Sequence, residues 1–392
     1  MRGRRRLLVL FLGFIAPASL LLRAQTPEKA AAKAQYIAYV GSYTTKTNSK
    51  GIYAFRFDSE KGQLSALGVA AETSDPSFLV LHPNGKYLYS VNEVADFNGS
   101  TTGGVSAFAV DAQNGSLKLL NQVSSRGAGP CHISLDTTSN FALVANYDSG
   151  NIASFPIRAD GSLGTASGFV QHSGSGPNKE RQEGPHAHWI GTSPDNQFAL
   201  AADLGLDQVI AYGFDATQGT FTPSLTGLAK VQSGAGPRHI AFGPNRKFVY
   251  VLSEMESSVT AFAYHAKTGA LKNLQTISAL PPDYSGRNEA AEIAVHPSGK
   301  FLYTSNRGHD SIAIFAIDAA KGTLKSLGQV LTGGKTPRHF AIDPSGAYLL
   351  AENQESNNIV IFHIDAVTGS LTPTGQAADA PSPVCLVFLP TP

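Results

Sequence analysis

One phrase recurs along this chain, and it restricts the fold more than any other feature. Its fullest copy runs Pro237-Arg238-His239-Ile240-Ala241-Phe242, turns at Gly243-Pro244-Asn245, and continues as Phe248-Val249-Tyr250-Val251-Leu252. A short loop leads to Ser258-Val259-Thr260-Ala261-Phe262, and a hairpin through Thr268-Gly269 leads to Leu271-Lys272-Asn273-Leu274. Each apolar run is short, β-branched or aromatic, and bounded by turn residues, which is how a β-strand reads. The unit has four strands. Copies start at Pro76, Pro130, Pro185, Pro237, Ala290 and Pro337, roughly 50 residues apart, a period that marks an array of stacked supersecondary units.

The hairpin between third and fourth strands gives an independent count. It occurs at Asp58–Leu64, Asp111–Leu117, Asp160–Leu163, Asp215–Phe221, His265–Leu271, Asp318–Leu324 and Asp365–Leu371, seven hairpins against six full copies. The surplus one belongs to Tyr36–Ala71, which supplies three strands, and the missing first strand is Pro383–Leu389. Six complete sheets and one shared by both termini make an all-β, seven-bladed β-propeller closed by N- and C-terminal strands, which leaves only short, protected sheet edges. A pair of β-sandwiches explains neither the period nor the shared blade.

Composition agrees. The 392 residues include 39 glycines and 22 prolines, with 42% hydrophobic and 15% charged residues. Disordered chains are charged and poor in apolar residues, so disorder is excluded. A net charge of +1 without a basic stripe argues against nucleic acid as partner. Cys131 and Cys385 offer neither a disulfide framework nor zinc-ligand spacing and read as structural thiols. The first residues read as an address. Arg2, Arg4, Arg5 and Arg6 precede the apolar run Leu7–Leu22, and Arg23-Ala24-Gln25 follows. This is the pattern of a secretory signal peptide over 1–24, followed by a polar linker over 25–35 and a propeller domain over 36–392. The expected mature protein is exported, periplasmic or secreted, without stable membrane insertion, and monomeric.

Function sits on varied loops over a rigid scaffold. The first-to-second turns, such as His82-Pro83-Asn84-Gly85 and His296-Pro297-Ser298-Gly299, are stereotyped and have backbone duties. The opposite face varies. First strands begin with Cys131-His132, His186 and His188, Arg238-His239, Glu292, and Arg338-His339. Second strands end in Asn92-Glu93, Asn146-Tyr147, Asp203, Ser253-Glu254, Asn306-Arg307 and Glu352-Asn353. Two insertions, Val94–Gly103 and Gln171–Gly184 with Arg181, border the same mouth of the channel. His132, His239 and His339 recur at matching positions and so suit the scaffold as well as a ligand. Glu254, Arg307, His186 and His188 break the repeat and are stronger candidates. His186 and His188, two apart on a strand, are expected on one face. No third ligand completes a metal site around them.

With these residues in view, the chain resembles a known family. Gly184-Pro185-His186-Ala187-His188, Ala202-Asp203-Leu204-Gly205-Leu206-Asp207, Gly236-Pro237-Arg238-His239, Ala291-Glu292-Ile293, Asn306-Arg307-Gly308-His309-Asp310-Ser311 and Pro337-Arg338-His339-Phe340 look like the seven-bladed lactonases. These include propeller-type 6-phosphogluconolactonases and fungal carboxymuconate-lactonizing enzymes. The resemblance implies opening of a small-molecule sugar lactone by general acid/base catalysis, without metal or cofactor. It implies catalytic roles for Glu254, His186 and His188, with His186 or His188 as a proton-transfer group, Glu254 as its acidic partner, and Glu254 or a histidine as the base. Arg238 and Arg307 would hold a carboxylate or phosphate, and Arg181, Arg338, His132 and His239 are further substrate-binding candidates. Lactonizing cyclisation, or a non-catalytic propeller that binds a ligand or partner, are the alternatives.

Overall fold

In a computed structural model, which describes residue 3 and residues 35–391, the chain forms seven four-stranded antiparallel sheets. The strands are numbered β1–β28 in chain order. In the blade shared by the termini, β28 (Pro383–Pro390) pairs with β1 (Gln35–Ser42), followed by β2 (Gly51–Asp58) and β3 (Gln63–Glu72). The pairing runs from Tyr36 opposite Pro390 to Gly41 opposite Cys385, so the C-terminus supplies the missing first strand, as the hairpin count requires. The expected signal peptide over 1–24, apart from residue 3, and nearly all of the linker lie outside the described residues.

The inner strands of the other blades are β4 (Leu79–Leu81), β8 (Pro130–Leu135), β12 (Ala187–Thr192), β16 (Pro237–Phe242), β20 (Glu289–Val295) and β24 (Pro337–Ile342). Each touches the inner strand of both neighbouring blades, β28 included, so the ring is closed. Second strands such as β17 (Phe248–Ser253) are buried throughout, because both of their faces meet a neighbouring blade. Outer strands such as β3 are largely exposed.

The core is seven apolar clusters, each lying between two blades. One joins Leu200, Ala202 and Val209 to Ile240, Val251 and Phe262. Two more join the shared blade to its neighbours: Tyr36, Ala38 and Phe55 meet Leu350 and Ile361, and Ile37, Tyr39 and Ile52 meet Leu88 and Phe108. At ~1.5–3 kcal/mol for each large buried side chain, no blade can hold its strands without both neighbours.

The stereotyped turns serve the backbone. His296 Nδ1 accepts from Ser298 N, and its Nε2 donates across to Gly346 O, 2.8 Å away in the next blade's turn. His82 Nδ1 accepts from Asn84 N.

Candidate active site

The site grows from an irregularity repeated around the ring. In β8 paired with β9 (Phe141–Asn146), Pro130 lies opposite Asn146 and His132 opposite Ala145, so Cys131 has no partner. The same skip leaves out His188 in β12, Arg238 in β16, Arg338 in β24 and Val384 in β28. In β20, Ala291 and Glu292 together face one residue of β21 (Phe301–Arg307). A β-bulge leaves one residue unpaired and re-aims its side chain. Here six blades carry the bulge at the same height, and it lifts Cys131, His188 and Arg338 into one cavity of ≈ 320 Å³.

A second layer comes from the residues just after the second strands. The backbone N–H of Glu93, Tyr147, Leu204, Glu254 and Gln354 donates to Asp75, Gly129, His186, Gly236 and Thr336 in turn. Arg307 holds the matching place opposite Glu289. Of these, Glu93, Tyr147, Glu254 and Arg307 line the cavity, with Arg181 from the insertion and Glu289 from the first position of β20.

This register corrects two expectations. The third copy begins at Ala187, not Pro185, since His186 O takes the bond that Gly236 O takes in the next blade. His186 and His188 therefore do not share a strand face. His186 precedes the strand and does not line the cavity. It stacks on Tyr147 with ring centroids 4.5 Å apart, and its nitrogens meet Tyr147 O at 3.0 Å and Glu183 Oε1 at 3.2 Å. His188 occupies the bulge and lines the cavity.

His188 Nδ1 lies 3.7 Å from Cys131 Sγ, and among the described residues no other side chain hydrogen-bonds the ring. Burial, then the charges of Arg238, His239 and Arg338, hold its pKa well below the usual histidine value, so the ring is neutral. Cys131 Sγ also faces the carbonyls of Ala187 and His188, and burial keeps its thiol protonated.

Glu254 is the hub. Oε1 accepts from Arg181 Nη2 at 2.5 Å, and Oε2 meets Arg238 Nε at 3.0 Å and Arg307 Nη2 at 2.9 Å. Burial raises its pKa, but Arg307, Arg238 and Arg181 outweigh burial and bring it to about 2. Arg338 Nη2 donates to Tyr43 Oη at 2.7 Å, its guanidinium lies over that ring, and Tyr43 Oη donates to Glu93 Oε2 at 2.9 Å. Burial pushes the Glu93 carboxyl up.

Arg238, His132 and His239 sit beneath this layer and are not among the residues that line the cavity. Arg238 braces Glu254 from below and donates to Ala291 O and to His239 Nε2. His239 Nδ1 donates to Glu292 Oε2 at 3.0 Å. Glu292 is also 3.5 Å from His339 Nε2, whose Nδ1 lies 2.5 Å from Glu352 Oε2. His132 packs between Phe78 and Trp189. These side chains form a buried layer behind the residues that line the cavity.

The insertion Gln171–Gly184 delivers Arg181. Gln182 Nε2 donates to Leu204 O and Asp207 Oδ1, and His172 pairs with buried Asp203 at 2.6 Å. Glu289 is absent from the sequence-based candidates, although one signal marks it: it stands in the slot where two other copies have Gly129 and Gly236. Arg181, His188, Glu254, Arg307 and Arg338 are brought together, and Arg238 backs them.

A family model described as Lactonase, 7-bladed beta-propeller matches residues 37–388. The chain is 41% identical over 304 residues to a protein named 6-phosphogluconolactonase from Bacillus subtilis, covering 78% of this chain and 84% of that one. It is 39% identical over 308 residues to another so named from Formosa agariphila, covering 77% and 84%. The structure of a periplasmic gluconolactonase from Pseudomonas aeruginosa superposes with a TM-score of 0.86 at 33% identity, covering 91% of this chain and 100% of that one.

Proposed function

Because this chain belongs to the seven-bladed β-propeller lactonase family and is a lactone hydrolase, we propose that the cavity over the bulged inner strands is where it opens a sugar lactone, with His188 as the base. The observation that carries this reading is the convergence of a neutral histidine and two arginines, Arg307 and Arg338, in one walled cavity.

The chemistry follows from those groups. A lactone is a cyclic ester. His188 takes a proton from water as the oxygen attacks the carbonyl carbon. The carbonyl oxygen becomes an oxyanion beside the guanidiniums, which are fixed donors aimed where charge develops. The intermediate collapses with cleavage of the ring C–O bond, and the imidazolium returns the proton to the departing ring oxygen. One water is consumed and one hydroxy acid is formed. A positioned acid/base group of this kind contributes ~10²–10⁴ in rate.

Glu254 is a positioning residue in this scheme. Both of its oxygens are occupied by arginine, whereas the His188 ring has only the Cys131 thiol beside it. Its carboxylate holds Arg181, Arg238 and Arg307 in one array, and planar guanidinium forks suit oxygen-rich ligands. The relatives named 6-phosphogluconolactonase and gluconolactonase support an aldonolactone as substrate. The basic-then-apolar first residues, and a structural relative named as periplasmic, support action outside the cytoplasm.

The test is a panel of lactones assayed with wild-type protein and with His188→Asn. Hydrolysis by the wild type, lost in a variant that melts normally, is the expected result. An unimpaired His188→Asn enzyme rejects the assignment.

A further inference from the structure

We infer that Glu289 is a built-in occupant of the cavity's anion seat, and that through it the enzyme selects sugar lactones carrying no phosphate over their phosphorylated counterparts. The inference rests on the cavity being the lactone site.

The cavity wall carries three arginines and three glutamates. On the side of Arg181 and Arg307, Glu254 already bonds both guanidiniums. A second carboxylate, Glu289, then spans three arginines from three different segments. Oε1 lies 3.2 Å from Arg181 Nη1 and 2.9 Å from Arg287 Nη2, and Oε2 lies 3.9 Å from Arg307 Nη2. Arg181 comes from the insertion, Arg287 from the loop before β20, and Arg307 from the end of β21. Two arginines facing inward are thus met by two carboxylates, and Arg287, the third partner of Glu289, is 87% exposed. Beneath them, Arg238 is accompanied by Glu292, through His239.

Glu289 stands where the cavity opens outward. It lines the inner cavity together with Arg307 and Arg338, and the same three residues line the adjoining groove with Arg287, Thr336 and Gln354. A substituent extending from a bound lactone along this path meets the carboxylates of Glu289 and Glu355 beside the guanidiniums of Arg287, Arg307 and Arg338, and Glu289 is the carboxylate shared by cavity and groove. A phosphate monoester brings about −1.5 to −2 charges, and like charges brought together at a recognition surface are a strong source of discrimination. A sugar hydroxyl is the opposite case. It donates one hydrogen bond and accepts others, so a carboxylate beside a guanidinium offers it an acceptor and a donor at once.

The experiment compares kcat/KM of the full-length protein on glucono-δ-lactone and on its 6-phosphate, and measures competitive inhibition by inorganic phosphate. Wild type should favour the unphosphorylated lactone and be weakly inhibited by phosphate. Glu289→Gln keeps the shape and removes the charge. It should move the ratio toward the phosphorylated lactone by about tenfold or more, corresponding to about 1.4 kcal/mol, and tighten phosphate inhibition in step. A wild type that prefers the 6-phosphate overturns the inference and leaves the lactone site standing. So does a folded Glu289→Gln with unchanged ratio and unchanged phosphate inhibition. If that variant does not fold, the wild-type ratio and phosphate inhibition decide. If wild type opens neither lactone, the reading of the cavity fails and this inference fails with it.

Discussion

Replacing Glu254 with glutamine separates a base from a positioning group. Its side chain is 5% exposed and meets three guanidiniums. Removing one partner of a buried ion pair costs about 3–5 kcal/mol, because the other charge is left uncompensated. Glutamine keeps an acceptor oxygen, and Glu289 still faces Arg181 and Arg307, so the lower end, about 3 kcal/mol, is expected. At about 2.1 cal/mol/K per residue of unfolding entropy, a ring of this size should lose only about 4 °C of Tm. The guanidiniums, no longer clamped, should drift, and a misplacement of order 1 Å costs about 10²-fold in rate. The assay is kcat/KM against pH for both proteins. With His188 as base, activity falls as the pH drops through its pKa, which lies below 6.5. It falls because the protonated ring cannot accept a proton. Glu254→Gln should keep that acid limb while losing rate. An acid limb centred near pH 2 in wild type, or its disappearance in a Glu254→Gln enzyme that melts within a few degrees of wild type, refutes the argument and returns the base to Glu254.

Three further outcomes are expected. His188→Asn should lower kcat/KM by ~10²–10⁴ and flatten the acid limb, with a nearly unchanged melt measured by circular dichroism. Deleting residues 383–392 removes the strand that closes the ring onto β1, so the cooperative thermal transition should be lost; a sharp, unshifted calorimetric peak would contradict closure by the termini. Gly205→Ala should impair activity from outside the cavity. A Cβ there would stand 1.9 Å from Gly184 O and 2.9 Å from His186 N, so the end of the Arg181-bearing insertion must move. A stability loss of about 1–3 kcal/mol with a raised KM is expected, read by denaturant melts and kinetics.

Blade number and the shared blade were legible because they follow from local signals. Turn residues and short β-branched runs repeat with the blade, and counting hairpins against full copies reveals a strand missing at one end and supplied at the other. The placement of side chains at the site was less legible, because a bulge is a property of pairing. Alternation puts His186 and His188 on one face, but the extra residue opposite β13 (Phe198–Asp203) falls at His188 and breaks the alternation there. Pro185 imitates the proline that opens other copies, and only the bond from Leu204 N to His186 O shows the repeat to be displaced. The three arginines on Glu254 come from three blades or loops, Arg181 from 73 residues away, and no spacing rule links them. Repeat-breaking singled out Glu254, Arg307, His186 and His188, and all but His186 line the one cavity.

The bulge also explains how one scaffold carries both chemistry and selectivity. The bulged residues lie between paired neighbours of a buried sheet, so their backbone is held by ladder bonds on both sides. His188 and Arg338 are therefore placed before substrate arrives, which is the condition for electrostatic stabilisation without reorganisation. Arg181 and Arg287 belong to loops, and Glu289 to the half-buried start of β20, where they bind one another through exposed or half-exposed ion pairs. Such pairs are weak and exchangeable. Changes on the rim should therefore alter which lactone is accepted while the reaction persists, whereas changes at the bulges should remove the reaction whatever the lactone.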